Sequence, residues 1–165
     1  MKVIVSNMCT TDWPAVREIY ADGIATGQAT FETEPSSWEH WDATHLPFAR
    51  LIARAEGKVI GWAALSPVSQ RKVYAGVAEV SIYVAANSRG RGVGRALLEH
   101  ILHDAEQHGI WTLQAVVFPE NIATLALHKR CGFREVGRRE RISKLNEEWR
   151  DTILLECRSR TIGTE

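Results

Sequence analysis

The stretch that decides the fold of this chain is RGRGVGR, residues 89–95, which lies between a strand-like run at 80–84 and a helix-like run at 95–102. A glycine-rich turn that leads into a helix presents several backbone N–H groups at the positive end of the helix dipole, which suits a phosphate or pyrophosphate. The glycines let the backbone approach an anion, and three arginines add positive charge. The stretch therefore predicts an anion-binding turn, with an ordinary basic surface turn as the alternative.

Two common phosphate-binding motifs do not fit this spacing. A P-loop needs G-x-x-x-x-G-K-[ST], and the chain contains no Gly-Lys-Ser or Gly-Lys-Thr. A dinucleotide fingerprint needs G-x-G-x-x-G, but Arg95 stands at the third glycine position, and no acidic residue closes a second strand about 20 residues further on. The pattern that remains is Arg89-x-x-Gly92-x-Gly94 between a strand and a helix.

Size and composition exclude several classes of protein. The 165 residues suit one domain that spans 1–165. Lys plus Arg equal Asp plus Glu at 20 each, and this balance predicts no nucleic-acid partner. Three scattered cysteines (Cys9, Cys131 and Cys157) fit neither a disulfide framework nor a zinc site, so we expect no metal and a reducing cytoplasm. We find no leader and no membrane-spanning apolar run, and we expect no membrane partner.

Hydrophobic periodicity and turn signals predict the element order β α α β β β α β α β β. The helices are expected after a cap at Thr11 or Asp12, around Trp38 and Trp41, from Arg95 to about His108, and from Asn121 to Cys131. The strands are expected at 1–7, 50–54, 58–65, 79–84, 111–118, 134–144 and 150–157. This order indicates a mixed α/β (α+β) fold around a central, mostly antiparallel sheet.

A second motif makes the pattern more specific. Residues 121–133, NIATLALHKRCGF, have the form N-x-x-T-x-x-L-H-x-x-x-G-F, and residues 79–84 read EVSIYV. Together with residues 89–94 they resemble the GCN5-related N-acetyltransferase (GNAT) superfamily, in its phosphinothricin/methionine sulfoximine acetyltransferase-like branch. The resemblance implies the GNAT fold, in which helices cover both faces of a mixed, mostly antiparallel sheet, and acetyl-CoA as the cosubstrate.

The resemblance also implies where acetyl-CoA binds. The strand that ends at Val84 would diverge from its neighbour, so that its last backbone groups pair with the pantetheine arm. The pyrophosphate would lie on the amides of the glycine-rich turn, and Asn121 would hydrogen-bond the pantetheine. The cofactor-binding residues expected on this basis are Ile82, Tyr83, Val84, Arg89, Gly90, Arg91, Gly92, Val93, Gly94, Arg95 and Asn121.

Acetyl transfer to an amine needs a base for the amine proton, stabilisation of the thioester oxygen, and a proton for the departing thiolate. Glu79 is the candidate base, because it lies about 16 Å before Val84 along an extended strand, beyond the acetyl end of a pantetheine laid there. His128 is the candidate acid, because it stands where many superfamily members carry a tyrosine. Each has a structural alternative: an ion-paired carboxylate for Glu79, and a core or capping histidine for His128.

Phosphinothricin-type enzymes act on an amino acid with a second anionic or strongly polar head, so basic side chains are expected in the pocket. The substrate-binding residues expected are Phe31, Arg71, Tyr74, Glu79, Val80 and Ser81. The chain departs from the branch at Ser69 and Ala75, where arginines are common, so the anion clamp is either partial or supplied by other residues. Solvent-facing loop charge is the alternative for Arg71 and Lys72.

These features predict an acetyl-CoA-dependent N-acetyltransferase, an acyltransferase of the EC 2.3.1 type. Its expected acceptor is the α-amine of a small amino acid or analogue of the phosphinothricin, methionine sulfoximine or methionine sulfone type. The expected mechanism is direct attack in a ternary complex, and the resemblance implies a homodimer. The alternatives are an N-acetyltransferase for a peptide N-terminus or an antibiotic amine, and a non-catalytic acyl-CoA-binding sensor.

Overall fold

One sheet of seven strands organises the molecule, in a computed structural model that describes all 165 residues. The strands are β1 Ile4–Asn7, β2 Leu51–Ala55, β3 Lys58–Pro67, β4 Val77–Val84, β5 Thr112–Val117, β6 Arg134–Leu145 and β7 Glu148–Arg158. They lie in the order β1-β2-β3-β4-β5-β7-β6, and only the β4–β5 pair is parallel. The prediction of a mixed, mostly antiparallel sheet is confirmed.

Four helices cover both faces of this sheet: α1 Trp13–Ala25, α2 Trp38–Thr44, α3 Val93–Gln107 and α4 Ile122–Arg130. Neighbouring residues of β3 point to opposite faces, as in any strand. Trp62 and Ala64 belong to a small core shared with α1 and α2, whereas Ala63 and Leu65 belong to the large core shared with α3. The predicted element order and the placement of helices on both faces are therefore confirmed.

A glycine in β3 lets α3 pack close to the sheet. A Cβ atom at Gly61 would lie 3.0 Å from Leu97 Cδ1 and 3.2 Å from Val93 Cγ1. Both of these α3 side chains are buried in the large core, so a larger residue at Gly61 would push the start of α3 away from the sheet. This close approach fixes the position of the glycine-rich turn that precedes α3.

Helix α3 begins two residues earlier than the sequence predicts. Its N-cap is Gly92 at φ 82°, so Val93 and not Arg95 is the first helical residue. Periodicity does not reveal this start, because the cap is a left-handed backbone conformation without a side-chain cap hydrogen bond. Gly109 and Gly132 follow the ends of α3 and α4 with φ of 80° and 94°, as expected for helix C-terminal glycines.

The parallel ladder between β4 and β5 is short. It joins Val77 to Thr112, Ala78 to Leu113 and Glu79 to Gln114, and it ends there. Beyond this point β4 stays on β3 as far as Val84, while β5 stays on β7 as far as Val117. The two strands diverge, as the resemblance implies, and each is left with one edge that has no strand partner. We call this opening the fork.

Three further features concern classes of function. None of the four helices combines the length and the apolar character that a membrane crossing requires. No group of three or more His, Cys, Asp and Glu side chains is placed to hold a metal ion. The three cysteines are unpaired.

Candidate active site

One wall of the fork is the open edge of β4. Residues 80–84 face no strand on the β5 side, and Ile82, Tyr83 and Val84 are only half-buried. Arg89 Nε donates to the carbonyl oxygen of Val84 at 3.2 Å, which holds the start of the glycine-rich turn against the end of the strand. An extended ligand with amide groups can pair with such an edge as an added strand does.

A run of unused amides follows in the glycine-rich turn. The first hydrogen bond of α3 runs from the Ala96 N–H to the Gly92 carbonyl oxygen at 3.0 Å, and no N–H of residues 90–95 donates within the protein. Gly90 and Gly92 have φ of 72° and 82°, a left-handed conformation that lets successive N–H groups turn to one concave side. Six amides at the positive end of a helix dipole form a site suited to a pyrophosphate.

Glu79 stands at the base of the fork, in the last residue pair of the β4–β5 ladder. Gln114 Nε2 donates to Glu79 Oε1 at 3.0 Å and holds the half-buried carboxylate in one orientation. Glu79 shares a strand face with Ser81 and lies across from Ser66 of β3. It takes part in none of the ion pairs of the molecule, which disfavours the ion-paired alternative.

A cavity of about 560 Å³ opens on the face of the sheet that α1 and α2 cover. Ser81, which shares a strand face with Glu79, lines this cavity, whereas Glu79 itself does not. Its floor is formed by Trp62 and Ser66 of β3 and by Ser81 and Tyr83 of β4. Its walls are Tyr20 of α1, residues of α2, and the loop that joins the two helices, residues 26–37. We call these two features the α1–α2 cavity and the α1–α2 loop.

The α1–α2 cavity carries negative charge. Glu32 and Glu34 line it, and no lysine or arginine does. Burial, together with the charge of Glu32, raises the pKa of Tyr20 to about 12, and burial likewise raises the pKa of Tyr83. Both phenols therefore stay protonated at neutral pH and act as neutral hydrogen-bonding groups. A ligand with an ammonium group is the charge complement of this lining.

Aromatic rings stiffen the floor and one wall of the α1–α2 cavity. Tyr83 stacks on Trp62 with ring centroids 4.9 Å apart, and His45 stacks on Trp41 at 4.2 Å. His45 Nδ1 donates to the Trp41 carbonyl oxygen at 2.7 Å, and burial lowers the pKa of His45. The ring is therefore neutral at pH 7 and presents Nε2 as an acceptor. Trp62 Nε1 is buried without a partner, so the floor also holds one unused donor.

His128 is buried in α4 against the ring of Phe133, with centroids 4.9 Å apart. Its Nδ1 donates to the Thr124 carbonyl oxygen at 2.8 Å, and burial lowers its pKa in spite of that hydrogen bond. A neutral ring with the proton on Nδ1 has an acceptor at Nε2 and no spare proton for a thiolate. This geometry favours a structural part for His128, and proton donation by it stays a prediction.

Two of the predicted cofactor residues, Asn121 and Arg95, are already engaged within the protein. Asn121 caps α4, since its Oδ1 accepts from the Thr124 N–H at 3.3 Å, and its Nδ2 donates to the Gln28 carbonyl oxygen at 3.2 Å. Arg95 pairs with Glu99 at 2.7 Å on the exposed side of α3. Contacts of Asn121 and Arg95 with acetyl-CoA therefore stay predictions that require a change of partner.

The predicted substrate residues are not all brought together. Ser81 lines the α1–α2 cavity, whereas Val80 is buried in the large core, so that only its backbone faces the fork. Arg71 and Tyr74 lie on the exposed β3–β4 loop, with the guanidinium 5.5 Å from the ring centroid, and neither lines the cavity. Phe31 of the α1–α2 loop packs edge-on against Phe118 with centroids 5.0 Å apart and does not line the cavity.

Several residues of the site were missed at the level of sequence. They are Gln114 beside Glu79, and Glu32, Glu34, His45 and Trp62 around the cavity. Gln114 carried one signal, since it is a polar residue in the middle of an apolar strand pattern. The cavity residues carried none, because they come from segments whose proximity only the packed fold establishes.

A larger groove of about 820 Å³ lies on the opposite face of the sheet, between α3 and the ends of β5 and β7. Its two carboxylates are engaged within the protein: Glu156 pairs with Arg134, and Glu106 accepts from Ser159 at 2.6 Å. No residue of the open edge of β4 lines this groove, whereas Ser81 and Tyr83 of β4 line the smaller cavity.

Comparisons with known proteins agree with this geometry. The model of the acetyltransferase (GNAT) family matches residues 13–133. The phosphinothricin N-acetyltransferase of Alcaligenes faecalis is 33% identical over 154 residues, which cover 88% of this chain and 77% of that protein. The L-methionine sulfoximine/L-methionine sulfone acetyltransferase of Pseudomonas aeruginosa is 26% identical over 162 residues, 94% of each chain. A phosphinothricin acetyltransferase from Sinorhizobium meliloti, solved with acetyl-CoA, superposes with a TM-score of 0.87 at 26% identity, over 96% of this chain and 89% of that one.

Proposed function

The chain belongs to the acetyltransferase (GNAT) family and is an acetyl-CoA-dependent N-acetyltransferase; from this premise we propose that its acceptor is the α-amine of a small amino acid or amino-acid analogue. Phosphinothricin, methionine sulfoximine and methionine sulfone are the type compounds, because relatives that cover most of the chain are named for them. The observation that carries the proposal is the joint position of three features: the unused amides, the fork with Glu79 at its base, and the carboxylate-lined cavity on the strand face that Glu79 shares with Ser81.

The cosubstrate half of the site is formed by backbone groups. The amides of residues 90–95 hold the pyrophosphate, with charge from Arg89 and Arg91. The open edge of β4 at Ile82, Tyr83 and Val84 pairs with the pantetheine arm, and the amides there are aimed at the thioester oxygen as it becomes anionic. Bound acetyl-CoA supplies the acetyl group, which the amine nitrogen takes as the carbon–sulfur bond breaks.

Glu79 accepts the amine proton in this scheme. An ammonium group is not a nucleophile, so it must lose a proton before it attacks the thioester. The carboxylate lies at the base of the fork, on the strand face of Ser81, and is oriented by Gln114. A bridging water is compatible with this geometry, since proton transfer through one water needs only hydrogen-bond contact at each step. His128 remains the candidate donor of the proton that the thiolate takes up.

The α1–α2 cavity receives the ammonium end of the acceptor. Its lining is anionic at Glu32 and Glu34, and His45 adds a neutral acceptor. A substrate carboxylate finds no cation in this cavity, and Arg71 and Lys72 on the neighbouring exposed loop are the nearest candidates among the predicted residues. The acceptor is therefore bound with its amine inward and its acidic head toward the opening.

We further propose that residues 1–165 act as one domain, which the continuity of the sheet from β1 to β6 supports. Partially exposed apolar side chains on the last hairpin, Val136, Ile142 and Trp149, support a homodimer. Three unpaired cysteines support a reducing cytoplasm, and the zero formal net charge supports the absence of a nucleic-acid partner.

Release of CoA thiol from acetyl-CoA, read colorimetrically with purified protein, tests the acceptor class. The panel contains phosphinothricin, methionine sulfoximine, methionine sulfone, plain amino acids, short peptides and an aminoglycoside. We expect turnover with the amino-acid analogues and little with the peptides or the aminoglycoside. Turnover confined to peptides or to the aminoglycoside would refute the proposed acceptor. No turnover with any compound of the panel, while acetyl-CoA still binds, would favour a non-catalytic sensor.

A further inference from the structure

Arg150 of β7 contacts a segment 123 residues away in the chain. Its guanidinium donates to the carbonyl oxygen of Gly27 and to Oε1 of Gln28, each at 3.0 Å. A longer contact of 3.4 Å reaches Glu120 Oε2. The side chain is only 15% exposed, although it lies on a hairpin whose other arginines are open to solvent. Arg150 thus ties the last strand to the start of the α1–α2 loop.

The ring of Phe118 supports both partners of this contact. The Arg150 Cζ atom lies 4.1 Å from the ring centroid, and Phe31 of the α1–α2 loop meets the same ring edge-on at 5.0 Å. A guanidinium over an aromatic face gains most when water is largely excluded, as it is here. The α1–α2 loop is therefore attached to Phe118, the residue that follows β5, at two points. The start of the loop is attached through Arg150, and the middle of the loop is attached through Phe31.

A second tether leaves the turn between β5 and α4. Asn121 Nδ2 donates to the Gln28 carbonyl oxygen at 3.2 Å while Oδ1 caps α4. Glu120, the third partner of Arg150, precedes Asn121 in the same turn. This turn lies at the open end of the fork, so the α1–α2 loop is anchored where β5 leaves the sheet.

We infer that Arg150 is a positioning residue, which holds the α1–α2 loop in place as one wall of the acceptor cavity. The residues that follow the anchored segment, among them Thr30, Glu32 and Glu34, line that cavity. Loosening the anchor leaves the carboxylates free to shift relative to Glu79, and small displacements of this kind are costly in group transfer. The anchoring stands on the structure alone, whereas its consequence for acceptor binding rests on the proposed function.

Two substitutions separate charge from geometry. Arg150→Met removes every donor and keeps most of the aliphatic length. Arg150→Lys keeps the charge over Phe118 but loses the planar guanidinium group, which donates to two acceptors at once. Arg138→Met is the matched control. Arg138 lies on the same hairpin and pairs with Asp151 at 2.7 Å, but it is 54% exposed and does not contact the loop.

Limited proteolysis with chymotrypsin tests the anchoring without any acceptor. Cleavage after Phe31 gives fragments 1–31 and 32–165, which mass spectrometry identifies, and its rate follows the local opening of the loop. We expect Arg150→Met to be cut at Phe31 about tenfold faster than the wild type, Arg150→Lys at an intermediate rate, and Arg138→Met at the wild-type rate. Equal rates for Arg150→Met and the wild type would overturn the inference.

Steady-state kinetics test the consequence. We expect Arg150→Met to raise the acceptor KM about tenfold and to leave the acetyl-CoA KM within about twofold, with partial recovery in Arg150→Lys. An unchanged acceptor KM, or an equal rise of both KM values, refutes the positioning role. If the wild type acetylates no amine of the panel, the proposed function fails, and the rate of cleavage at Phe31 still decides whether Arg150 anchors the loop.

Discussion

The proposed cosubstrate half and the proposed acceptor half of the site are built from different parts of the chain. The cosubstrate half is one stretch, from the open edge of β4 through the amides of residues 90–95. The acceptor half takes side chains from α1, the α1–α2 loop, α2, β3 and β4. The first half depends on backbone conformation and tolerates changes of side chain, whereas the second depends on which side chains the folded chain brings together. Substitutions should therefore have different kinetic signatures in the two halves.

Glu79 lies at the base of the fork and is the proposed base, so its removal should have the largest effect. Glu79→Gln keeps the size of the side chain and a partner for Gln114, but it removes the base. We expect kcat at pH 7.5 to fall about 10²–10⁴-fold, with acetyl-CoA binding by calorimetry unchanged. The control is Glu18→Gln, on the exposed side of α1. Turnover within about threefold of the wild type would remove Glu79 from the mechanism.

The next substitution tests the backbone half alone. Gly92→Ala places a Cβ where φ is 82°, which costs about 1–2 kcal/mol or turns the amides away from the ligand. We expect the acetyl-CoA KM to rise about tenfold and the acceptor KM to change little. The control is Gly57→Ala, at φ 77° in the β2–β3 hairpin, which carries the same strain far from the site. A rise of the acetyl-CoA KM in both variants would mean that strain acts through stability.

A substitution in the acceptor half should have a smaller effect, and it should change the acceptor KM instead of the acetyl-CoA KM. Glu32→Gln removes one of the two carboxylates of the α1–α2 cavity without changing its shape. Because Glu32 is solvent-exposed, we expect the acceptor KM to rise only about three- to fivefold, and less at high salt, with the acetyl-CoA KM unchanged. A fall in the acceptor KM would show that the cavity binds the anionic end of the substrate and not the ammonium.

The smallest effect concerns pH and stability, and it compares two histidines in different parts of the molecule. Burial lowers the pKa of His128 in α4 and of His45 beside the cavity. Below about pH 6.5 the unfolded chain binds protons that the folded chain does not. The contribution of each neutral histidine to the free energy of unfolding is therefore fully present above that pH. As the pH decreases further, this contribution is lost at a rate of at most about 1.4 kcal/mol per pH unit for each histidine.

Urea unfolding at pH 7.5 and pH 5.5 measures this loss. His128→Gln and His45→Gln should each lose less stability between the two pH values than the wild type does, whatever their stability at pH 7.5. The same loss in a variant and in the wild type would show that the histidine concerned is not held neutral by burial. The substitution with the larger effect identifies which of the two histidine side chains resists protonation more strongly.

The same contrast explains what the sequence could predict. The order of elements and the glycine-rich turn before α3 are local patterns, and both are present in the structure, whereas anion binding by this turn stays a prediction. The start of α3 was placed two residues late, at Arg95 instead of Val93, because its cap is a glycine conformation without a side-chain signal.

The acceptor half could not be predicted, because its neighbours meet only through long-range packing. Trp62 and His45 are apolar-core and loop positions in the sequence, and nothing local marks them as lining one cavity. Arg71 and Tyr74, chosen from the resemblance, lie on an exposed loop outside that cavity. Glu79 was predictable because its place depends only on strand spacing.

The short β4–β5 ladder has a mechanical consequence. Only three residue pairs join strands β1–β4 to strands β5, β7 and β6 in the sheet. By comparison, seven pairs join β3 to β4 and six join β5 to β7. The first strand, β1, lies at the outer edge of one group of strands, and the last strand, β7, lies in the other group. We therefore expect a pulling force between the chain ends to separate β4 from β5 first. If the cosubstrate binds in the fork as we propose, it bridges the two parts of the sheet, and we expect the molecule to be stiffer across the β4–β5 boundary when the cosubstrate is bound than when it is absent.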